Sequence, residues 1–307
     1  MKTAIIFPGQ GVQAIGMAKD FVDNFQEAKD VFSLANEVLK RDIYKLVMEG
    51  TIDDLNITIN TQPAIISAEI AMLKVFLKHK VIGDVTAGLS LGEYSSLIFS
   101  GALKLEDALP LVEKRGELML QGQKGKMAAV IGADRQKVID ICRIVSITGD
   151  FVVPANFNSL EQIVISGDVK GVEKAIPKLE AIGARVVPLN LTSPFHTKLL
   201  KSASIGLGEL LKDVDIMKPQ IPVYFNAIAD LEDDPELIKE LLTKQVSKPV
   251  LWVDTMVKML ESGVDTFIEI GPGKTLAGFL KRMPYEFKVY NVNNLTTLEK
   301  TLNSLGG

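Results

Sequence analysis

Ser90 lies in a pattern that is typical of serine nucleophiles. Residues 88–92 read Gly-Leu-Ser-Leu-Gly, between a short apolar stretch and a predicted helix that begins near Glu93. A sharp strand-to-helix turn would project the serine hydroxyl, and the backbone N–H of Leu91 would face the oxyanion formed when that hydroxyl attacks an acyl group. The pattern also arises by chance in a chain with 24 glycines, so it indicates acyl chemistry only together with its context.

A serine hydroxyl needs a neighbouring base, and the chain has only two histidines that could provide an imidazole. His79 lies between two lysines at the end of a predicted helix, which is typical of an exposed helix end. His196 follows a predicted strand, and Pro194 restricts the backbone just before it. We therefore expect His196 to serve Ser90. The alternative is a buried histidine that only packs.

Arg115 is expected to point into the protein. The apolar residues of a predicted helix over 105–121 recur at helical spacing, and Arg115 falls on the same face. A guanidinium cannot lose its charge, so an inward-facing arginine must find an anion. That anion is either an internal carboxylate or a substrate carboxylate held by two parallel hydrogen bonds, for which the adjacent Gly116 leaves space.

Two glycine-rich loops imitate nucleotide-binding motifs without meeting their requirements. Residues 8–14 follow a strand like a dinucleotide fingerprint, but the second strand ending in an acidic residue is missing. We expect the backbone N–H and the side chain of Gln10 to face a small anion or an oxyanion instead. Residues 271–275 lack the Walker spacing and predict a tight turn. The single cysteine, Cys142, lies on the apolar side of a predicted helix and is expected to pack in the core.

Strand and helix patterns alternate along the chain, which predicts an α/β fold. Pro63 suits the first turn of a helix running to about residue 79. Between residues 126 and 189 the predicted order is β-α-β-β-α-β, with Asp134 and Asp168 capping the two helices, as in a ferredoxin-like module. We therefore predict a large α/β domain, residues 1–124 and 197–307, interrupted by a small domain, residues 125–196.

Composition narrows the function further. The chain has 34 basic and 38 acidic residues, a net charge near −4, which argues against general nucleic-acid binding. One cysteine excludes an internal disulfide or a cysteine cluster, and two histidines leave little for a metal centre, so we expect no metal. The first apolar run is too short for a signal peptide, and no apolar run reaches 18 residues. We expect a cytoplasmic protein without a membrane segment.

Taken together and in order, these segments resemble the malonyl-CoA:acyl-carrier-protein transacylase family of bacterial fatty-acid synthesis. The resemblance spans almost the whole chain, and its specificity is high because several separated motifs agree in order and spacing. The matching segments are FPGQGVQ (7–13), GLSLGEY (88–94), RG (115–116), NFN (156–158), VISG (164–167), PFH (194–196), Gln245 with PVLW (249–252), and GPG (271–273).

The resemblance implies an α/β-hydrolase-like large domain with a parallel-sheet core and a ferredoxin-like insert. It also implies that Ser90 attacks the thioester of malonyl-CoA with His196 as general base. The backbone N–H groups of Gln10 and Leu91 would hold the tetrahedral intermediate. The phosphopantetheine thiol of an acyl carrier protein would then take the malonyl group from the serine, and the enzyme itself would need no cofactor.

Two further roles are implied by the resemblance. Arg115 would pair with the free carboxylate of malonyl, and a backbone carbonyl at Gln245 would orient His196 in place of an aspartate. Phe195 before the histidine resembles malonyl-selective members more than methylmalonyl-selective ones.

The chain departs from the family pattern at two places. Many members have histidine before the nucleophile, where this chain has Leu89, whose apolar side chain cannot donate a hydrogen bond. Many members also have Pro-Gly after the Asn-x-Asn-Ser stretch, where this chain has Leu160 and Glu161. The resemblance therefore does not predict the conformation of the turn between these two strands of the insert.

Three alternatives remain beside a transferase of fatty-acid synthesis. A polyketide loading acyltransferase would use the same chemistry with another carrier. A serine acyl hydrolase of the same fold would have no use for a buried cation such as Arg115, and a non-catalytic carrier-binding module would not need Ser90 and His196. We expect the protein to be a monomer. We also expect an acidic carrier protein to dock on a local group of basic side chains, Lys198, Lys201, Lys281 and Arg282. The alternative is that these four are ordinary solvated surface residues.

Overall fold

The computed structural model describes residues 2–306, and its strands form two separate sheets. The first sheet has six strands: β1 (Thr3–Phe7), β2 (Val85–Gly88), β7 (Val223–Phe225), β8 (Asp230–Glu232), β9 (Thr266–Ile270) and β10 (Lys288–Val292). The second has four: β3 (Lys126–Ile131), β4 (Val152–Ser159), β5 (Gln162–Gly167) and β6 (Arg185–Pro188).

The first sheet is parallel except at one edge. Its order is β10-β9-β1-β2-β7-β8, and only β8 runs antiparallel to its neighbour. The central strand β1 is fully buried, as its continuous apolar sequence predicts for a strand covered on both faces. Because the carboxyl ends of parallel strands meet at one edge, the loop of Gln10, Ser90, Asn226 and residues 271–273 all emerge there, after β1, β2, β7 and β9 respectively.

The second sheet is antiparallel, with order β4-β5-β3-β6. Numbered within the segment, that order is 2-3-1-4, the arrangement of a ferredoxin-like sheet. Asp134 and Asp168 cap the two intervening helices by accepting hydrogen bonds from the backbone N–H groups of Lys137 and Gly171, which confirms both predicted caps. The predicted α/β class with a parallel-rich large sheet and a separate small-domain sheet is confirmed, whereas the exact boundaries at 125–196 stay a prediction.

Fourteen α-helices and one 3-10 helix (Lys198–Leu200) lie in the described residues 2–306. The helices are α1 (Lys19–Asn24), α2 (Gln26–Leu39), α3 (Ile43–Glu49), α4 (Ile52–Asn56), α5 (Thr58–Leu77), α6 (Gly92–Phe99), α7 (Leu105–Gln121), α8 (Arg135–Ile147), α9 (Val169–Glu180), α10 (Lys201–Leu211), α11 (Pro235–Gln245), α12 (Trp252–Glu261), α13 (Thr275–Leu280) and α14 (Leu295–Leu305). None of these is long and apolar enough to cross a membrane.

The prediction that Pro63 lies in the first turn of its helix is wrong. Helix α5 begins five residues earlier, at Thr58, and Pro63 lies inside it. Proline cannot donate to the carbonyl four residues before it, which is that of Ile59. Nη2 of Arg41, which lies between α2 and α3, donates to this carbonyl at 2.9 Å, so a side chain from outside the helix replaces the missing bond and the helix continues through the proline.

The segment after α11 joins the two sheets. Val250 donates its N–H to the carbonyl of Ala155 at 2.8 Å and accepts from the N–H of Phe157 at 2.9 Å, which makes a short parallel bridge to β4. The large and small regions are therefore connected by main-chain hydrogen bonds as well as by the chain itself.

Candidate active site

Ser90 occupies a strained turn between β2 and α6. Its φ is 53°, in the left-handed region that residues with a side chain rarely adopt. The turn needs the flanking glycines, because a Cβ on Gly88 would lie 1.8 Å from the backbone of Gly92, and a Cβ on Gly92 would lie 2.3 Å from the carbonyl oxygen of Phe7. The sequence pattern therefore folds as the predicted strand–turn–helix.

Asn226, which follows β7, holds this turn from the neighbouring strand. Its Oδ1 accepts from the backbone N–H of Ser90 at 2.6 Å, and its Nδ2 donates to the carbonyl of Gly88 at 2.7 Å. Both backbone groups face the fully buried side chain of Asn226. Because the two hydrogen bonds are made on either side of Leu89, they fix the direction in which the serine points.

His196 stands against the serine hydroxyl. Its Nε2 lies 2.9 Å from Ser90 Oγ, and its Nδ1 lies 2.8 Å from the backbone carbonyl oxygen of Gln245. A carbonyl only accepts, so Nδ1 carries the proton and Nε2 is left as the acceptor for the serine hydroxyl. Burial lowers the pKa of His196 to about 4, opposed by the bond to Gln245 and helped by the charge of Arg115. The imidazole is therefore neutral and able to take a proton at neutral pH.

Arg115 is buried, as its position on the apolar face predicts, and its guanidinium is bound by neutral oxygens. Nη1 donates to Oε1 of Gln62 at 2.9 Å, and Nη2 donates to Oε1 of Gln245 at 2.8 Å and to Ser90 Oγ at 3.2 Å. Nε is buried and has no hydrogen-bond partner in the described structure. Burial lowers the pKa of Arg115, but a guanidinium stays charged at physiological pH, and its hydrogen-bond partners are all neutral, so its charge is available to an anion in the cavity that it lines.

Gln245 is the meeting point of these residues. Its carbonyl holds His196, its Oε1 holds Arg115, and its Nε2 donates to the carbonyl of Ser90 at 2.8 Å. Nε2 also donates to the carboxyl of Glu93, which is fully buried. Burial raises the pKa of Glu93 to about 8, against the hydrogen bonds from Asn226 and Gln245, which lower it.

A cavity of about 480 Å³ opens above this cluster, between the two sheets. Of the described residues that line it, only Arg115 and His196 carry titratable side chains, and no carboxylate lines it. Since the histidine is neutral, the lining has one net positive charge. The other lining residues are Gly9, Gln10, Gly11, Val12, Gln13, Asn56, Leu89, Ser90, Leu91, Met119, Met127, Ala129, Asn156, Asn158, Gln162, Val164, Leu189, Asn190, Leu191, Phe195, Thr275, Leu276 and Phe279.

The residues predicted to hold the oxyanion also face the cavity. Leu91 follows the serine at the start of α6, and Gln10 lies in the loop after β1, with its Nε2 donating to Thr58 Oγ1 at 3.3 Å. Leu89 lies in the lining too, so an apolar side chain occupies the place where many family members have histidine. Two sequence neighbours of the nucleophile and one distant loop thus meet at one site.

Other residues from the sequence lie elsewhere. His79 is exposed two residues beyond the end of α5, and Cys142 is buried in the small domain, where burial raises the pKa of its thiol to about 12. The four basic residues expected at a carrier rim do not line the cavity. Lys198 lies over the ring of Phe151 and Arg282 pairs with Glu161 at 2.8 Å, whereas Lys201 and Lys281 are exposed.

Sequence reasoning missed three side chains of this cluster: Gln62, Glu93 and Asn226. Glu93 stands in the quoted motif, and a carboxylate three residues after a nucleophile on a buried helix is a usable signal. Gln62 and Asn226 carry no local signal, because each meets the site through contacts between distant segments.

Comparison with known proteins supports one family. Residues 4–297 match the family described as acyl transferase domain. A malonyl CoA-acyl carrier protein transacylase from Bacillus subtilis (strain 168) is 40% identical over 99% of this chain and 97% of its own length. The corresponding protein of Staphylococcus aureus (strain MW2) is 39% identical over 96% of each chain.

Solved structures agree with these sequence relatives. The malonyl CoA-acyl carrier protein transacylase of Clostridium perfringens superposes with a TM-score of 0.95 at 42% identity, covering 100% of this chain and 98% of that one. A malonyl-transacylase in complex with a type II PKS acyl-carrier protein has a TM-score of 0.95 at 36% identity, covering 99% and 100%. The chain therefore belongs to the acyl transferase family, and its resemblance to the malonyl-CoA:acyl-carrier-protein transacylases is confirmed.

Proposed function

We propose that this protein transfers a malonyl group from malonyl-CoA to the phosphopantetheine thiol of an acyl carrier protein, through an ester on Ser90. The observation that carries the proposal is the pairing of a Ser90–His196 contact with a buried, anion-seeking Arg115 in one cavity. Malonyl has an acyl carbon for the serine and a free carboxylate for the guanidinium. The names of the relatives supply the same substrate and carrier.

The first half of the reaction forms the ester. As Ser90 Oγ attacks the thioester carbon, its proton passes to Nε2 of His196, which is neutral and 2.9 Å away. The backbone N–H groups of Gln10 and Leu91 stabilise the negative charge on the carbonyl oxygen. The carbon–sulfur bond then breaks, the proton returns from His196 to the sulfur, and coenzyme A leaves.

The second half repeats these steps with the carrier thiol as nucleophile. His196 takes the thiol proton, the sulfur attacks the malonyl ester, and the bond to Ser90 Oγ breaks as the proton returns to the serine. During both halves Arg115 holds the distal carboxylate, so the acyl carbon stays within reach of the serine. The two half-reactions use one base and one oxyanion site, which is the ping-pong sequence.

The test is to follow the acyl group on the protein by mass spectrometry. The protein is mixed with malonyl-, methylmalonyl- or acetyl-CoA, and a holo acyl carrier protein from fatty-acid or polyketide synthesis is added in a second step. We expect a malonyl adduct on the wild type that persists without carrier and moves to it on mixing. Loss of the adduct to water at the same rate with and without carrier would instead identify a hydrolase.

Ser90→Ala is the control for the position of the ester. It removes the nucleophile and should leave no adduct, so a malonyl adduct on this variant would refute the assignment of Ser90. Using both carriers tests whether the protein loads the carrier of fatty-acid synthesis or that of polyketide synthesis. Both are tested because one of the similar solved structures is a complex with a type II PKS acyl-carrier protein. We further propose that the protein acts as a cytoplasmic monomer and needs neither a bound cofactor nor a metal.

A further inference from the structure

Glu93 is a buried carboxyl for which the reaction above has no use. It lies on α6, three residues after the nucleophile, and is only 1% exposed. It does not line the cavity, so it does not touch the substrate. A carboxyl taken out of water costs free energy unless hydrogen bonds compensate it, so its retention beside the site calls for a specific role.

Each of its oxygens accepts from a different residue of the site. Oε1 accepts from the backbone N–H of Asn226, whose side chain holds the turn around Ser90. Oε2 accepts from Nε2 of Gln245, whose carbonyl holds His196 and whose Oε1 holds Arg115. One carboxyl thus fixes two residues that between them contact the nucleophile, the base and the guanidinium.

The contacts also decide which way the amide of Gln245 faces. With Nε2 bound to Glu93, its Oε1 is presented to Arg115 at 2.8 Å. If the amide were turned over, an NH₂ group would face the guanidinium, and two donors would meet. Both oxygens of a carboxyl can accept, whether it is ionised or protonated, whereas the nitrogen of a glutamine side chain in the same place cannot.

We propose that Glu93 is a positioning residue, which holds Asn226 and orients the amide of Gln245 so that Ser90, His196 and Arg115 keep their reactive arrangement. This inference rests on the proposed Ser90–His196 mechanism and adds to it the residue that sets its geometry. Glu93 acts through Gln245 and Asn226 and makes no contact with the reacting atoms.

The test is Glu93→Gln, which keeps size and shape but places a donor opposite either Asn226 N–H or Gln245 Nε2. We expect kcat/KM for acylation by malonyl-CoA to fall on the order of 10²-fold, because small displacements of reacting groups cost that much. The ratio of malonyl-CoA to acetyl-CoA acylation should fall as well, because a turned Gln245 amide disturbs the site for the carboxylate. Wild-type values of both quantities would overturn the proposal.

Glu69→Gln is the matched control. Glu69 is also a fully buried glutamate, on α5, but its Oε2 accepts a hydrogen bond from Ser95 Oγ at 2.5 Å, and it does not line the cavity. We expect this variant to keep the malonyl to acetyl ratio of the wild type. If it loses the ratio as Glu93→Gln does, the effect is general to removing a buried carboxyl, and the positioning role is refuted.

A double variant, in which Glu93→Gln is combined with Arg115→Ala, separates a positioning role of Glu93 from a general loss of structure. In Arg115→Ala there is no guanidinium for Gln245 to face, so adding Glu93→Gln should leave the malonyl to acetyl ratio unchanged there. A further fall would contradict a route through Arg115. Should Glu93→Gln not fold, Glu93→Asp, whose carboxyl is withdrawn by one methylene, carries the same expectations, and wild-type ratios in it would overturn the proposal.

Ser90→Ala, assayed in parallel, keeps the two proposals distinct. An adduct on Ser90→Ala refutes the mechanism, however the Glu93 variants behave. An inactive Ser90→Ala beside a fully active Glu93→Gln refutes only the positioning role.

Discussion

The two sheets face the same cavity but contribute different chemistry. The loops at the carboxyl ends of the parallel sheet bring Ser90 and the loop of Gln10, and the helix packed behind them brings Arg115. The strands of the antiparallel sheet contribute only uncharged side chains to the lining: Met127, Ala129, Asn156, Asn158, Gln162 and Val164. The strands of the antiparallel sheet thus form a neutral wall, whereas the base, His196, lies in the segment after β6 and is held by the carbonyl of Gln245 at the end of α11.

This difference follows from the direction of the strands in each sheet. Parallel strands bring several carboxyl-end loops to one edge, so residues far apart in sequence converge and can share charges and protons. An antiparallel sheet presents one face, whose side chains give shape and hydrogen bonds. Changes at the loops of the parallel sheet, at Arg115 and at His196 should therefore act on rate and charge selectivity, and changes on the strands of the antiparallel sheet should act on substrate affinity.

The largest effect is expected from His196→Ala. Without a positioned base the serine hydroxyl must lose its proton to water, so acylation should slow by about 10²–10⁴-fold. The measurement is the rate of adduct formation with malonyl-CoA in a rapid-quench experiment. Cys142→Ala, a buried change in the small domain, is the control, and near-normal acylation of His196→Ala would mean that another group is the base.

Arg115→Ala should lower the preference for malonyl-CoA over acetyl-CoA. Loss of the charge-assisted hydrogen bonds to the carboxylate should reduce kcat/KM for malonyl-CoA by about 10–100-fold while acetyl-CoA changes less. Arg115→Lys keeps the positive charge but lacks the planar guanidinium. Its preference for malonyl-CoA over acetyl-CoA should therefore lie between that of the wild type and that of Arg115→Ala. An unchanged ratio in Arg115→Ala would refute the role of the guanidinium as the carboxylate clamp.

The pH dependence should be flat where an ordinary histidine titrates. Because burial lowers the pKa of His196 to about 4, the base is neutral and active above that value. We expect kcat/KM for acylation to stay constant from pH 7 to pH 5 and to fall about tenfold per unit below pH 4. Circular dichroism at each pH controls for unfolding, and a midpoint near pH 6.5 would contradict the expected environment of the imidazole.

The smallest effect is expected from the neutral wall. Asn158 donates from Nδ2 to Oε1 of Gln162 at 3.3 Å, and its Oδ1 is buried without a partner in the described structure. Asn158→Ala removes an uncharged polar side chain from the cavity wall, so it should raise KM about two- to tenfold, with kcat nearly unchanged. An equal loss in kcat would place this wall in the reaction itself and remove the contrast between the sheets.

Local patterns were sufficient for much of the fold. The two aspartate caps, the strand-to-helix turn at Ser90 and the inward side of α7 all follow from residues within a few positions of each other. The prediction for Pro63 was wrong for the opposite reason. The rule for proline considers only nearby residues, but the hydrogen bond from Arg41 that replaces the missing one comes from a distant position.

The site was predictable only in part for the same reason. Ser90 and Arg115 were marked by patterns, and His196 by the scarcity of histidine. Asn226 contacts Ser90 across 136 positions, and Gln62 contacts Arg115 across 53, so neither could be inferred without the sheet order. The carbonyl of Gln245 was expected only through the family resemblance, because every residue has a carbonyl and none is distinctive in sequence.

The bridge at Val250 has a mechanical consequence. Five residues before it stands Gln245, whose carbonyl holds His196, while Val250 itself is bonded to β4. This short segment therefore connects the imidazole to the antiparallel sheet. A rotation of that sheet large enough to widen the cavity would displace the segment, and the alignment of His196 with Ser90 would change with the width of the opening.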